Sequence, residues 1–340
     1  MVPLFIFDNY TRIRIYDMQD FFTYFTKLHE QEKYPPLVSK LPSRGLVYPE
    51  HHFFNKTQHI IYEKINGYDE EWATEALFIK DETKLNLLFE NKIKFNEPKI
   101  NINDMLQCDR DIMIINQHII AYGYHFPKDT KLPCKNCEQH LMLPANFGIK
   151  KIDINPLEIL PKEKNKNIFE WVDMNNGISV LFRFPTVNEN ARILALFEQH
   201  KFIPFEEWIE FYIIGLNGNL LPLHQIKQQF NDGSIPIETY YALRDYVEKK
   251  EPYVIFETTQ LICQNCEYDN TIFSNITFSM MHMNDPKRRK MNIQQMYLLT
   301  KDFNMAYNEI MSMPVDNRMR FLQYHNEYLE KVKDQALTNQ

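Results

Sequence analysis

Four of the five cysteines form two C-x-x-C pairs, Cys134-Lys135-Asn136-Cys137 and Cys263-Gln264-Asn265-Cys266, with Cys108 apart from both. Two residues between cysteines let both thiolates of a tight turn face one ion, and two such knuckles supply the tetrahedral four-sulfur shell that zinc favours. A shell closed by four thiolates keeps no coordination position open for a substrate, so such a site cross-links the chain rather than reacting. The flanks are consistent with this: 258–262 reads as a strand entering the second knuckle, 271–273 as a strand leaving it, and 141–143 as a strand leaving the first. About 125 residues separate the knuckles, where compact sites have roughly 15–20. A shared zinc therefore requires a domain inserted within the ribbon. Competing readings are a thioredoxin-like redox pair, which needs a strand-to-helix setting and a depressed thiol pKa, no metal at all, and half-sites completed by histidine, with His140 beside Cys137.

Other reactive constellations are few. There is no H-E-x-x-H, no G-x-S-x-G and no nucleophile elbow. His51-His52 follows a proline turn and reads as a pair of exposed polar side chains rather than metal ligands. Asp109-Arg110-Asp111 reads as a helix N-cap with a salt-bridged surface, against the alternative of an acid pair with an arginine clamp. Eight glycines among 340 residues leave little material for phosphate loops, and neither a Walker nor a dinucleotide pattern is present. The net charge of -7 opposes a main role in neutralising nucleic acid, which makes nucleic acid an unlikely partner. Lys287-Arg288-Arg289-Lys290 is the one concentrated basic run, read as a solvated loop or a contact for an acidic partner. The start, MVPLFIFDNY, has no basic n-region or cleavage site, and no stretch approaches the roughly 20 apolar residues of a membrane helix. The expectation is a soluble, non-enzymatic, cytoplasmic chain without a membrane partner.

The elements that must position the cysteines give an α+β fold: a mostly helical body with a split four-cysteine zinc ribbon, an inserted α-rich domain and a C-terminal helical segment. The expected parts are an N-terminal extension (1–40, with a helix around 21–25), an α+β domain with the first half of the ribbon (41–146), the insertion (147–257), the second half of the ribbon (258–280) and the C-terminal helices (281–340). In the body, 41–49 is a turn leading into a strand, while 70–88 and 103–122 carry apolar residues at helical spacing, with Gly123 as C-cap. In the insertion, 177–185 reads as an edge-like strand, 188–200, 205–215 and 237–249 as helices, and 232–234 as a turn. At the end, 292–307 and 316–332 read as helices separated at Met313-Pro314. The methionines from Met280 to Met319 recur at helical spacing, and their adaptable side chains suit either the core or a partner groove. Met305, Ile310, Met311, Met313, Phe321 and Leu322 give two apolar faces joined at Pro314, more than a two-helix hairpin can bury. Tyr307, Ile310, Met311, Met313, Pro314 and Phe321 are the expected partner-binding residues, with the body of the chain as the other possible cover.

An ordered set of short motifs carries a resemblance. It comprises Leu41-Pro42-Ser43-Arg44-Gly45 with Tyr48-Pro49, then Cys108-Asp109-Arg110-Asp111 followed by Ile119-Ile120-Ala121-Tyr122-Gly123-Tyr124. The two C-x-x-C pairs come next, and Tyr307-Asn308-Glu309-Ile310-Met311-Ser312-Met313-Pro314 with Arg318 ends it. The sequence resembles the baseplate hub and hub-assembly proteins of T-even-type contractile-tailed bacteriophages, over roughly 41–140 and 250–330. Asn116-Gln117-His118 stands where the family's stretch has an arginine. The resemblance implies a non-enzymatic role in building or forming the central baseplate hub, with hub or tape-measure proteins as partners, in the host cytoplasm during assembly or in the virion tail. The rival reading is a zinc-ribbon nucleic-acid-binding or regulatory protein, which would want basic and aromatic residues around the knuckles.

Overall fold

From Val38 the chain begins with a short antiparallel pair, β1 (Val38–Lys40) and β2 (His59–Ile61), with the one-turn helix α1 (Phe53–Lys56) between them. The computed structural model describes residues 38–50, 52–56, 59–78, 82–93, 101–126, 132–144, 146–273 and 286–338, which belong to one compact unit. The expected helix around 21–25, together with His51, Met280, Met281 and Met283, lies outside the described residues. The 41–49 segment is turns throughout rather than a lead into a strand. Gly45 is fixed there by space and backbone alike: its φ is 72°, and a Cβ would stand 2.1 Å from the Phe54 carbonyl oxygen.

The apolar spacing over 70–88 resolves into two helices, α2 (Gly67–Phe78) and α3 (Glu82–Asn91), packed through Ala73, Ala76, Leu85 and Leu88. The Trp72 indole donates to the Lys84 carbonyl across them (3.2 Å). A short 3-10 turn, Ile102–Asp104, precedes the long helix α4 (Gln107–Tyr122). As expected, Gly123 ends this helix, at φ 77°, with its N–H on the Ile119 carbonyl (2.9 Å). Helix α4 is buried on nearly every face, including Asp109, Arg110, Asp111, Asn116, Gln117 and His118, so it is a central strut rather than an amphipathic surface helix.

Strand β3 (Ile149–Asn155) leaves this body. The chain then builds a separate antiparallel sheet of β4 (Phe169–Val172), β5 (Ser179–Phe182), β6 (Ile213–Leu216) and β7 (Asn219–Leu220), in that order. Helices α5 (Val187–His200), α6 (Phe205–Tyr212), α7 (Leu223–Asn231) and α8 (Ile237–Lys250) accompany it. A Thr186/Glu189 capping box starts α5. Strand β5 is interior, between β4 and β6, and not an edge: Val180, Leu181 and Phe182 are buried, and Phe169, Phe182 and Phe184 pack ring to ring. The helix expected to reach 215 stops at Tyr212, because Ile213–Leu216 pairs with β5 and turns back through Asn217-Gly218.

Strand β8 (Tyr253–Thr258) returns antiparallel to β3, in register from Asn155↔Tyr253 to Lys151↔Glu257 with a shift before Ile149↔Thr258, and β9 (Ile272–Phe273) adds to it. This ladder, about 20 Å long at the usual rise per residue, has the inserted segment at one end and the two knuckles at the other. Residues 259–262 and 141–143 are not strands: the Thr259 N–H goes to the Gly148 carbonyl, while the Leu141 N–H and the Leu261 carbonyl close the knuckle turns.

Among the described residues the C-terminal segment holds three helices, not two: α9 (Pro286–Phe303), α10 (Tyr307–Ser312) and α11 (Val315–Thr338). Besides the expected break at Pro314, a second falls at Asn304, whose φ is 53°. These helices pack on the body. The Val315 N–H donates to the Ile65 carbonyl (2.9 Å), Asn66 forms a bridge with Pro314, and Lys64 pairs with Asp316 (2.6 Å). The expected partner surface is therefore corrected. Ile310, Met311 and Phe321 are 0%, 2% and 1% exposed, Met313 and Pro314 are half-buried, and Tyr307 alone of the six is exposed. Met311 lies against Gly67 of the body, where a Cβ would meet its sulfur at 2.9 Å, and Phe321 packs on Phe303 of α9 with ring centroids 4.6 Å apart.

Candidate metal centre

The two knuckles have the same backbone. The Cys134 N–H donates to the Gln139 carbonyl (2.8 Å) as the Cys263 N–H does to Tyr268 (3.0 Å), and the Glu138 and Glu267 N–H groups return to Cys134 and Cys263 (2.9 Å each). Leu141 to Leu132 and Asn270 to Leu261 close the turns, both at 2.8 Å. Glu138 and Glu267 occupy the same left-handed position, at φ 61° and 56°. The β3–β8 ladder brings these turns face to face, which removes the difficulty posed by their separation in sequence.

All four Sγ atoms lie within 4.8 Å of one another, and the cross-knuckle pairs Cys134–Cys266 and Cys137–Cys263 are each 3.6 Å apart. A tetrahedral shell with metal–sulfur bonds of about 2.3 Å has sulfur–sulfur edges of about 3.8 Å, whereas a disulfide is about 2.05 Å. All five cysteines are free. The four can hold one metal ion. Among the described residues no other group of donors converges in this way, and His140 is not part of the set.

Electrostatics agree with a site built for a cation. Desolvation raises the Cys134 thiol, but the Cys137 and Asn136 backbone N–H groups and the Asn270 amide outweigh it and bring it down to about 6. The Gln139 N–H lowers Cys137, helped by Asn265. For Cys266 the Tyr268 N–H also lowers, yet the neighbouring Cys137 and Cys134 sulfurs push it up to about 11. Four thiols this close do not ionise independently, and a bound dication removes the conflict by holding all four as thiolates.

Asn270 is the residue that spacing alone did not reveal. It is fully buried; its Oδ1 accepts the Lys135 N–H (2.9 Å), and its Nδ2 donates to the Tyr268 carbonyl (3.0 Å) and faces Cys134 Sγ (3.5 Å). It ties one knuckle to the other, and its counterpart in the first knuckle is Leu141, so no repeat marks it. Lys135 extends to the Ile272 carbonyl and lies over the Phe273 ring (4.7 Å).

The other singled-out residues lie elsewhere. Asp109 is no exposed helix cap: it is wholly buried, its Oδ1 accepting the Ser43 N–H (2.9 Å) and its Oδ2 the Tyr48 hydroxyl (2.5 Å). Burial holds its carboxyl above the usual range despite these bonds. Arg110 donates to Asn86 (3.1 Å) and Asp111 accepts from Gln107 (2.7 Å), both buried. His52 is also buried, not exposed, with Nδ1 accepting the Phe54 N–H (3.0 Å). Arg318 reaches the buried Glu70 carboxylate, whose other oxygen accepts the Tyr122 hydroxyl (2.9 Å). Burial raises the Cys108 thiol, remote from the other cysteines. No described helix is long and apolar enough to cross a membrane. No family model, curated protein or solved structure matches the chain.

Proposed function

We propose that the chain is a non-enzymatic protein of a contractile-tail baseplate hub, forming part of it or helping to build it through protein–protein contacts. One structural zinc, held by Cys134, Cys137, Cys263 and Cys266, staples the two knuckles. The observation that carries this reading is where the motif residues of the resemblance sit. Ser43 and Tyr48 close on Asp109, Asn66 bridges Pro314, and Arg318 is buried on Glu70. These contacts hold a scaffold together. Four thiolates close the metal site in the same sense, and zinc is the dication that favours such a shell. Tyr68, Trp72 and Tyr307, 44%, 45% and 50% exposed, give the partner surface, and Tyr68 is joined to α10 through Asn308 (2.8 Å). Tyrosine and tryptophan at a surface suit partner contact. A zinc ribbon directed at nucleic acid fits less well, because Lys135 is engaged and the neighbours Glu138, Glu267 and Asp269 are acidic.

The test is genetic. Interrupting the reading frame in its phage and imaging the lysate by negative-stain electron microscopy should give tails without completed baseplates. Intact, infectious particles would contradict the assignment.

A further inference from the structure

Between the helical body and the inserted segment lies a cavity of about 200 Å³, walled by the start of α4, the β5–α5 connection and the α8–β8 corner. Asp111, Glu248 and Glu251 line it with Gln107, Cys108 and the Phe184 ring, and no lining residue is cationic. Glu248 is answered by Arg244 (2.8 Å) on its own helix. Asp111 is 4% exposed; one oxygen takes the Gln107 amide (2.7 Å), and no donor among the described residues reaches the other. The Glu251 carboxylate has no hydrogen-bond or ion-pair partner among the described residues. It caps the C-terminal end of α8, where the helix dipole is itself negative. Asp111 and Glu251 face the same buried thiol, Cys108, and both oppose its ionisation. The free carboxylate oxygens of Asp111 and of half-buried Glu251 open to the cavity, where an entering positive group would pair with them.

We propose that this cavity receives an organic cation, a guanidinium or ammonium group on a flexible stem, held between Asp111 and Glu251. A metal fits less well. Among the described residues only the four cysteines bring three or more ligand atoms within 4.8 Å of one another, so no three donors around this cavity form a metal-ligand set. A guanidinium spreads five donors over a plane and can meet two carboxylates at once, and the Phe184 wall suits its stem. An arginine or lysine side chain of a protein and a free polyamine share this chemistry.

Desolvation pushes both carboxyls up to about 7, opposed at Asp111 by neighbouring Arg110 and Gln107 and reinforced at Glu251 by Glu248. The remaining ionisable groups around them are Cys108 and Asp109 on α4, Arg244 on α8, Tyr212 at the end of α6 and Tyr253 at the start of β8. An entering cation holds both carboxyls ionised, so binding weakens as pH falls from 8 to 6, by about 10-fold for each one.

The experiment is isothermal titration calorimetry of the full chain with N-acetylarginine methylamide, putrescine and magnesium chloride at pH 8 and pH 6. One-site saturable binding of an organic cation at pH 8, weaker at pH 6 and reduced at least 10-fold in Asp111→Asn and Glu251→Gln, is the expected result. Binding of the arginine derivative alone identifies a protein side chain as the source, and binding of putrescine alone identifies a polyamine. If Asp111→Asn does not fold, Glu251→Gln decides alone, since Glu251 sits at a helix end. No saturable binding of either organic probe, tighter binding of magnesium, or full retention in Glu251→Gln would overturn the proposal.

Discussion

Replacing Arg318 with methionine strips the buried Glu70 carboxylate of its cation while keeping most of the side-chain volume. The two side chains are 0% and 1% exposed, and Arg318 also donates to Asn292 (3.3 Å). The Tyr122 hydroxyl stays on Glu70, but a neutral donor does not replace the guanidinium charge. Breaking one side of a buried pair costs about 3–5 kcal/mol, a large share of the 5–15 kcal/mol typical of a folded protein. Replacing both partners removes the stranded charge. Arg318 carries two further guanidinium donors, at Nε and Nη1, that meet no acceptor among the described residues. The Glu70→Gln/Arg318→Met double variant should therefore recover most of the loss, with a coupling energy of at least about 2 kcal/mol. Urea unfolding followed by tryptophan fluorescence reads this through the buried Trp208. An Arg318→Met variant within about 1 kcal/mol of the parent, or a double variant that is merely additive, would refute the reasoning.

Truncation after residue 290 uncovers Ile65, Gly67 and Glu70, so the remainder should lose its cooperative melting transition by circular dichroism rather than persist as a folded core. Asn270→Ala removes the tie between the knuckles and should weaken zinc about 10–100-fold in a competition titration, as loss of a residue supporting metal ligands does. The Asp111 and Glu251 carboxyls, raised to about 7, favour folding in their protonated form. That contribution is whole below about pH 4 and is lost as pH rises through 7. Asp111→Asn, which keeps the oxygen that accepts Gln107, should thus be near neutral at pH 4 and stabilising at pH 8 by up to about 4 kcal/mol; equal effects at both pH values would contradict the assignment.

The cysteine spacing made the metal set legible, since two x-x gaps restrict where four sulfurs can go. The β3–β8 ladder that joins the halves was only implied, because its pairing is long-range and no local signal records it. Polarity misled at α4: Asp109, Arg110 and Asp111 read as a solvated helix start, yet each finds its partner from a distant segment or an adjacent turn, and burial follows from those partners. The Phe205–Gly215 stretch has an apolar pattern that suits a helix or a strand, and pairing with β5 decided for the strand after Tyr212. Met311 and Phe321 were read as spare apolar surface because periodicity marks an apolar face without saying what covers it. Gly67, the residue that admits Met311, lies far away in sequence.

The most direct measurement is the metal content of the full chain purified without chelator, by inductively coupled plasma mass spectrometry, beside the Cys263→Ser variant. One zinc per chain, absent from Cys263→Ser together with a loss of cooperative melting, is the expected result. A metal-free parent, or zinc retained in full by Cys263→Ser, would contradict the four-thiolate staple.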